Sequence, residues 1–271
     1  MLLLLLLFPV LLLLLLLLVV PDEDSPERVG REDSSGGGGG ADRLRAVTYT
    51  AIWTALVAYA FLYAPGHTPE GDAAVTQMTA ALMTNPFSPD INQLYVVIFN
   101  ALGVVPAIYA QLLLPGSKGQ RLPAAPFVLA SFAGGYFLLA PYLALRQYRP
   151  CVDEAQLRGL ATLSTLRLGG VLTLVFALGL LQFAITNHVW TSFEEYMLLF
   201  RSQTLVHVSS IDLLLLSVVV WEPMLEDMRR RGMYTDGSRS ANIRLAAFCA
   251  IPVLGPAVYL AVRPPLLAAE D

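Results

Sequence analysis

The sequence predicts an all-α protein, a polytopic transmembrane helix bundle of about six spans after a Leu-rich N-terminal segment. Two observations carry this. The chain is 56% hydrophobic against 14% charged, with a mean hydropathy of +0.61, whereas a soluble domain is about 45 to 50% apolar and about 25% charged. Beyond residue 46, six stretches also approach the roughly 20 apolar residues that cross about 30 Å of hydrocarbon.

Residues 2–20, LLLLLLFPVLLLLLLLLVV, have the length and hydrophobicity of a signal anchor. No basic residue precedes them and no small-residue cleavage site follows, so signal, anchor and low-complexity tract all stand as readings. Residues 21–46 are acidic and then Ser/Gly-rich, which predicts a disordered linker because no core can form there. Residues 47–265 form the predicted transmembrane domain and 266–271 a short tail.

The predicted spans cover about 47–64, 93–114, 125–145, 166–186, 203–222 and 244–262. Pro and Gly punctuate the connections. The loop from Pro65 to Asp90 has no Lys or Arg and is expected on the lumenal or external side. PGSKGQRLPAAP is short enough for an antiparallel connection. NHVWTSFEEYMLL, with Trp190, Phe193 and Tyr196, reads as an interfacial helix at the aromatic belt. With strictly alternating spans the basic residues nearly balance, and they lean the third and fifth loops to the cytoplasmic or stromal side. Ala130 with Gly134, and Ser131 with Gly135, stand four apart in the third span and are expected to bring helix backbones together, as are Gly169 and Gly170. Pro106 in the second span and Pro252 and Pro256 in the sixth predict kinks.

The net charge of -4 and the lack of a basic stripe argue against nucleic acid as a partner. The bilayer, and with it other membrane proteins, are the expected partners. Cys151 and Cys249 give no metal spacing and no convincing disulfide. His67, His188 and His207 are too scattered for a di-iron histidine box, and neither HExxH nor GxSxG occurs, so no catalytic residue, metal or cofactor is expected. His207 is a weak candidate ligand for a pigment or haem, set against the commoner interfacial histidine bonded to a carbonyl. The acidic pairs Asp153 with Glu154, Glu194 with Glu195 and Glu226 with Asp227 are expected to face water, and Glu222 to sit at the interface.

One residue stands out. Asp212 lies in the fifth span, about 15 Å of helix from either end, where an ionised carboxylate costs about 2.5 to 3.5 kcal/mol. Ser209 shares its helix face and His207 does not. No Lys or Arg lies in the interior of another predicted span, so the expected partners are Asn100, Gln111 or Gln182, which with Ser209 would form an intramembrane polar site.

NPFSPDINQLYVVIFNALGVVPAIYAQLLLPG, PFVLASFAGGYFLLAPYLALR, the Asp-bearing span closed by EDMRRRG, and the ending IPVLGPAVYLAVRPP together resemble a family of multi-pass membrane proteins of chloroplasts and cyanobacteria, over roughly residues 47–265. The resemblance implies a plastid membrane, thylakoid or envelope, and no particular reaction. The expected role is non-enzymatic support for the assembly or organisation of membrane complexes. The alternative is a small-solute or ion transporter using Asp212 and the Pro-broken second and sixth spans.

Overall fold

A computed structural model describes residues 38–152, 157 and 159–267. The Leu-rich segment, residues 21–37 of the linker, the pair Asp153 and Glu154, and residues 268–271 lie outside the described residues. Within them all regular structure is helical, so the protein is an all-α polytopic bundle.

Helix α1 (Gly38–Leu62) starts inside the stretch expected to be linker. The reason is tertiary: Arg45 pairs with Asp42 and Glu222 and donates to the Arg146 carbonyl, which anchors the first turns. After the half-exposed α2 (Pro69–Thr84) come α3 (Gln93–Leu113), which runs unbroken through Pro106, and α4 (Ala124–Leu145). The short α5 (Leu160–Thr165) precedes α6 (Arg167–Thr186). Helix α7 (Phe193–Ser202) leads into α8 (Thr204–Val219), continued by α9 (Trp221–Arg230). The chain ends in α10 (Arg239–Ala250) and α11 (Leu254–Val262). Five helical segments are long and apolar enough to cross a membrane: residues 42–62, 93–116, 124–145, 167–186 and 204–230.

The 124–145 segment does not run straight. Gly134 (φ -135°, ψ 17°) and Gly135 (φ 49°, ψ -132°) leave the helical region, and the left-handed φ at Gly135 is one an L side chain resists. The chain folds back on itself there. Phe127 stacks on Tyr142 with ring centroids 5.8 Å apart. Gln120 and Gln147 exchange two hydrogen bonds, Nε2 to O at 2.8 Å and N to Oε1 at 2.7 Å. Arg149 reaches the carbonyls of Lys118 and Gly119. Gly134 and Gly135 therefore form the tip of a helical hairpin, not the packing seam expected from their spacing.

The sixth expected span is also two helices. Pro252 cannot continue α10, Val253 has φ 64°, and Gly255 lies so close to the Phe248 carbonyl that an added Cβ would sit 2.2 Å from it. Phe248 and Tyr259 meet at 5.4 Å across this second hairpin. Its arms return to one place: Arg244 donates to the Met233 carbonyl, and Leu267 N donates to the Arg230 carbonyl. Gly170 packs where the sequence suggested, its hydrogen pointing at the Leu260 carbonyl, where a Cβ would come within 2.1 Å.

Both hairpins open towards the same end of the bundle, and among the described helices α1, α3, α6 and α8–α9 run its full length. The opposite end is tied by Thr204 Oγ1 donating to the Pro65 carbonyl and by Asn92 donating to Ser192 O and Glu195 Oε2. Among the described residues this arrangement puts thirteen of the fourteen Lys and Arg side chains at the hairpin end and leaves Arg201 alone at the other. Alternating spans would have put the Pro65–Asp90 loop, which has no Lys or Arg, on the side of the third and fifth loops. The hairpins place it opposite them, and the near-balance of basic loops disappears.

Candidate functional site

Asp212 sits at the tip of the first hairpin. It is 4% exposed, and its Oδ1 accepts the backbone N–H of Tyr136 at 2.9 Å. That N–H belongs to the first turn of the hairpin's second arm, where no intrahelical acceptor exists, so the carboxylate acts as an N-cap supplied by another helix. Its Oδ2 occupies the space a side chain at Gly135 would need, 1.7 Å from an ideal Cβ. Trp53 Nε1 holds the same turn from α1, donating to the Phe137 carbonyl at 2.9 Å.

The expected partners of Asp212 lie elsewhere. Asn100 donates to the carbonyls of Pro86 and Val96 at 2.7 and 2.8 Å. Gln111 donates to Thr173 Oγ1 at 2.8 Å, joining α3 to α6. Among the described residues Gln182 bonds to Thr186 of its own helix. Ser209 bonds the Tyr95 hydroxyl at 3.0 Å and donates to the Leu205 carbonyl. The five residues form no common site. In place of a side-chain partner, the Gly-Gly break frees a backbone donor that satisfies the aspartate.

His207 has both ring nitrogens engaged. Nδ1 lies 2.6 Å from the Phe200 carbonyl, so it carries the proton, and Nε2 accepts from the Tyr59 hydroxyl at 2.8 Å. A pigment or haem would have to displace one of these bonds. His207 is thus a histidine bonded to a neighbouring carbonyl.

The largest correction is at the hairpin end. Glu226 and Asp227, expected in water, are fully buried, and Glu222 is 7% exposed. Helix α9 places Glu222, Glu226 and Arg230 four apart on one stripe and Asp227 and Arg231 on the next. Arg146, at the end of the first hairpin, reaches both Glu222 and Glu226, and Arg230 also pairs with Glu226. Tyr49 donates to Glu222 at 3.2 Å. On the second stripe Asp227 Oδ2 accepts from Arg231 Nε at 2.9 Å, and from Arg263 Nη1 and the Tyr259 hydroxyl at 2.8 Å each.

The arginines also close helix ends. Arg230 donates to Leu112 O at 2.9 Å, and Arg263 to Gln111 O at 3.1 Å and Ser164 O at 2.6 Å. Guanidinium groups there satisfy orphan carbonyls and complement the helix dipole. Burial pulls the Arg263 guanidinium below the ordinary arginine range against the opposing pull of Asp227. At Arg146 burial acts the same way, but Glu222 and Glu226 outweigh it and hold the group well above that range. The signal for this network was in the sequence as Glu222, Glu226 and Arg230 at helical spacing, with one arginine just past each neighbouring helix.

No family model matches the chain, and no match was found among curated proteins or solved structures.

Proposed function

We propose that this multi-pass membrane protein is a non-enzymatic scaffold of a plastid membrane, supporting the assembly or organisation of larger membrane complexes. The observation that carries this reading is where its intramembrane polar groups go: Asp212, Ser209, Asn100 and His207 each bond inside the protein, to a helix tip, a neighbouring hydroxyl or a carbonyl. Such bonds hold helices in place. The ionic network at the hairpin end ties four helices and two hairpins together, which suits a part that keeps its shape. The plastid location rests on the sequence resemblance over residues 47–265.

One observation favours the alternative transporter: broken helices with a carboxylate near the mid-plane are how ion-coupled carriers build binding sites, and Asp212 lies at such a break. The experiment is to express the full chain with a C-terminal tag, locate it, and identify what purifies with it in mild detergent. Stoichiometric recovery of other integral membrane proteins from plastid membranes is expected. Recovery of the chain by itself, together with ion or solute uptake by reconstituted vesicles, would replace the scaffold by the transporter.

A further inference from the structure

Tyr59, near the end of α1 opposite the hairpins, bonds to His207 of α8, its hydroxyl 2.8 Å from Nε2. The Phe200 carbonyl, 2.6 Å from Nδ1, accepts the imidazole N–H, which leaves Nε2 as a free base aimed at the phenol. The imidazole is held in place from both sides. It stacks on Tyr59 with ring centroids 5.7 Å apart and meets Phe200 at 4.2 Å.

Other tyrosines of the described residues are bonded differently. Tyr49 and Tyr259 donate to Glu222 and Asp227, carboxylates whose charge is already taken up by arginines, and both rings are buried. Tyr95 and Tyr196 meet serine hydroxyls and Tyr109 a backbone carbonyl, none of which is a base. Tyr59 is also within reach of another molecule. It is 37% exposed and stacks at 6.5 Å on Tyr63, which is 73% exposed, and Phe61 and Leu62 beside them are exposed as well.

We propose that Tyr59 is a redox-active tyrosine that gives one electron to a porphyrin π-cation radical of a neighbouring membrane protein. The electron leaves the phenol as its O–H bond breaks, and the proton forms a new N–H bond at His207 Nε2. Phenol, imidazole and porphyrin cation radical thus become a neutral tyrosyl radical, an imidazolium and a neutral porphyrin. Back transfer of the electron from the porphyrin reverses both moves. The step needs a base already in place, because a phenol that loses an electron without its proton becomes a costly cation, and histidine is the side chain suited to hold that proton. The class of oxidant follows from the approach: the exposed rings of Tyr63 and Phe61 suit contact with a flat aromatic macrocycle, and no bond to it has to form. The step adds an activity to the scaffold and does not depend on that reading.

The test uses the full chain in nanodiscs, with a zinc porphyrin flash-oxidised by a sacrificial electron acceptor as the probe. Electron resonance and transient absorption read the tyrosyl radical. Wild type should form it at a rate independent of added imidazole, and Tyr59→Phe, which keeps the ring, should not form it. His207→Gln keeps an acceptor for the Tyr59 hydroxyl but offers no base, so the radical should form about a hundredfold more slowly and regain speed with added imidazole. If His207→Gln does not accumulate, the wild-type and Tyr59→Phe results decide. Absence of the radical from wild type, its persistence in Tyr59→Phe, a wild-type rate that rises with imidazole, or an undiminished rate in His207→Gln each overturns the proposal.

Discussion

Phe127 and Tyr142 stack at 5.8 Å although a straight helix would hold residues so spaced about 22 Å apart. The apolar run that contains them therefore enters the bundle and leaves by the same end. Spin labels at Arg121 and Gln147, both exposed, are expected about 20 Å apart or less, where a crossing span would separate them by about 39 Å. Pulsed electron resonance on the double-cysteine protein decides between the two.

Sidedness follows from the hairpins. With thirteen basic side chains at one end, that end is expected to be cytoplasmic or stromal. Cysteines introduced at Arg121, Gln147 and Arg239 should react with an impermeant reagent from that side, and one at Ala73 from the other. Labelling of the 121 and 147 positions from opposite faces of sealed vesicles would restore the simple alternating topology.

Gly135→Ala should be among the most damaging small substitutions. Its Cβ would overlap the Asp212 carboxylate, and its φ of 49° costs an L residue about 1 to 2 kcal/mol even without the clash. Accumulation of the variant in the membrane should fall sharply, whereas Gly103→Ala, at a position with open space around it, should accumulate normally. Equal amounts of both would show that the tip is not as tightly closed.

Arg146→Met tests the ionic network. It leaves Glu222 and Glu226 buried with their shared cation gone, a loss of about 3 to 5 kcal/mol for a broken buried pair. Tyr49→Phe removes one hydrogen bond from the same cluster and should cost about 1 kcal/mol. Thermal melting in detergent should rank them in that order, and the reverse order would mean that Arg146 is already well hydrated.

The fold class was readable because hydropathy reports burial in lipid directly, residue by residue. The hairpins were not, because a span and a folded-back pair of half-helices have the same length and the same apolar content. Gly134 with Gly135 and Pro252 with Gly255 were the local signs, and each also fits an ordinary packing or kink motif. Asp212 was correctly singled out as unusual, but its partner was a backbone N–H, and those become available only where a helix breaks. Glu226 and Asp227 are buried although charge alone points to water. In α9 those carboxylates instead meet Arg146 and Arg263, which are far away in sequence and become neighbours only once the hairpins fold.

On the scaffold reading proposed above, Asp212 holds a helix tip and does not shuttle a proton or ion. Asparagine keeps an oxygen that can accept the Tyr136 N–H, whereas leucine leaves that donor buried and unpaired at about 1 to 3 kcal/mol. The decisive measurement is membrane abundance and rescue of a strain lacking the gene, for Asp212→Asn and Asp212→Leu side by side. Asp212→Asn is expected to match wild type in both, and Asp212→Leu to lose abundance and rescue together. Normal abundance of Asp212→Asn with complete loss of rescue would contradict it, and would make the titratable charge of Asp212 the point of the site.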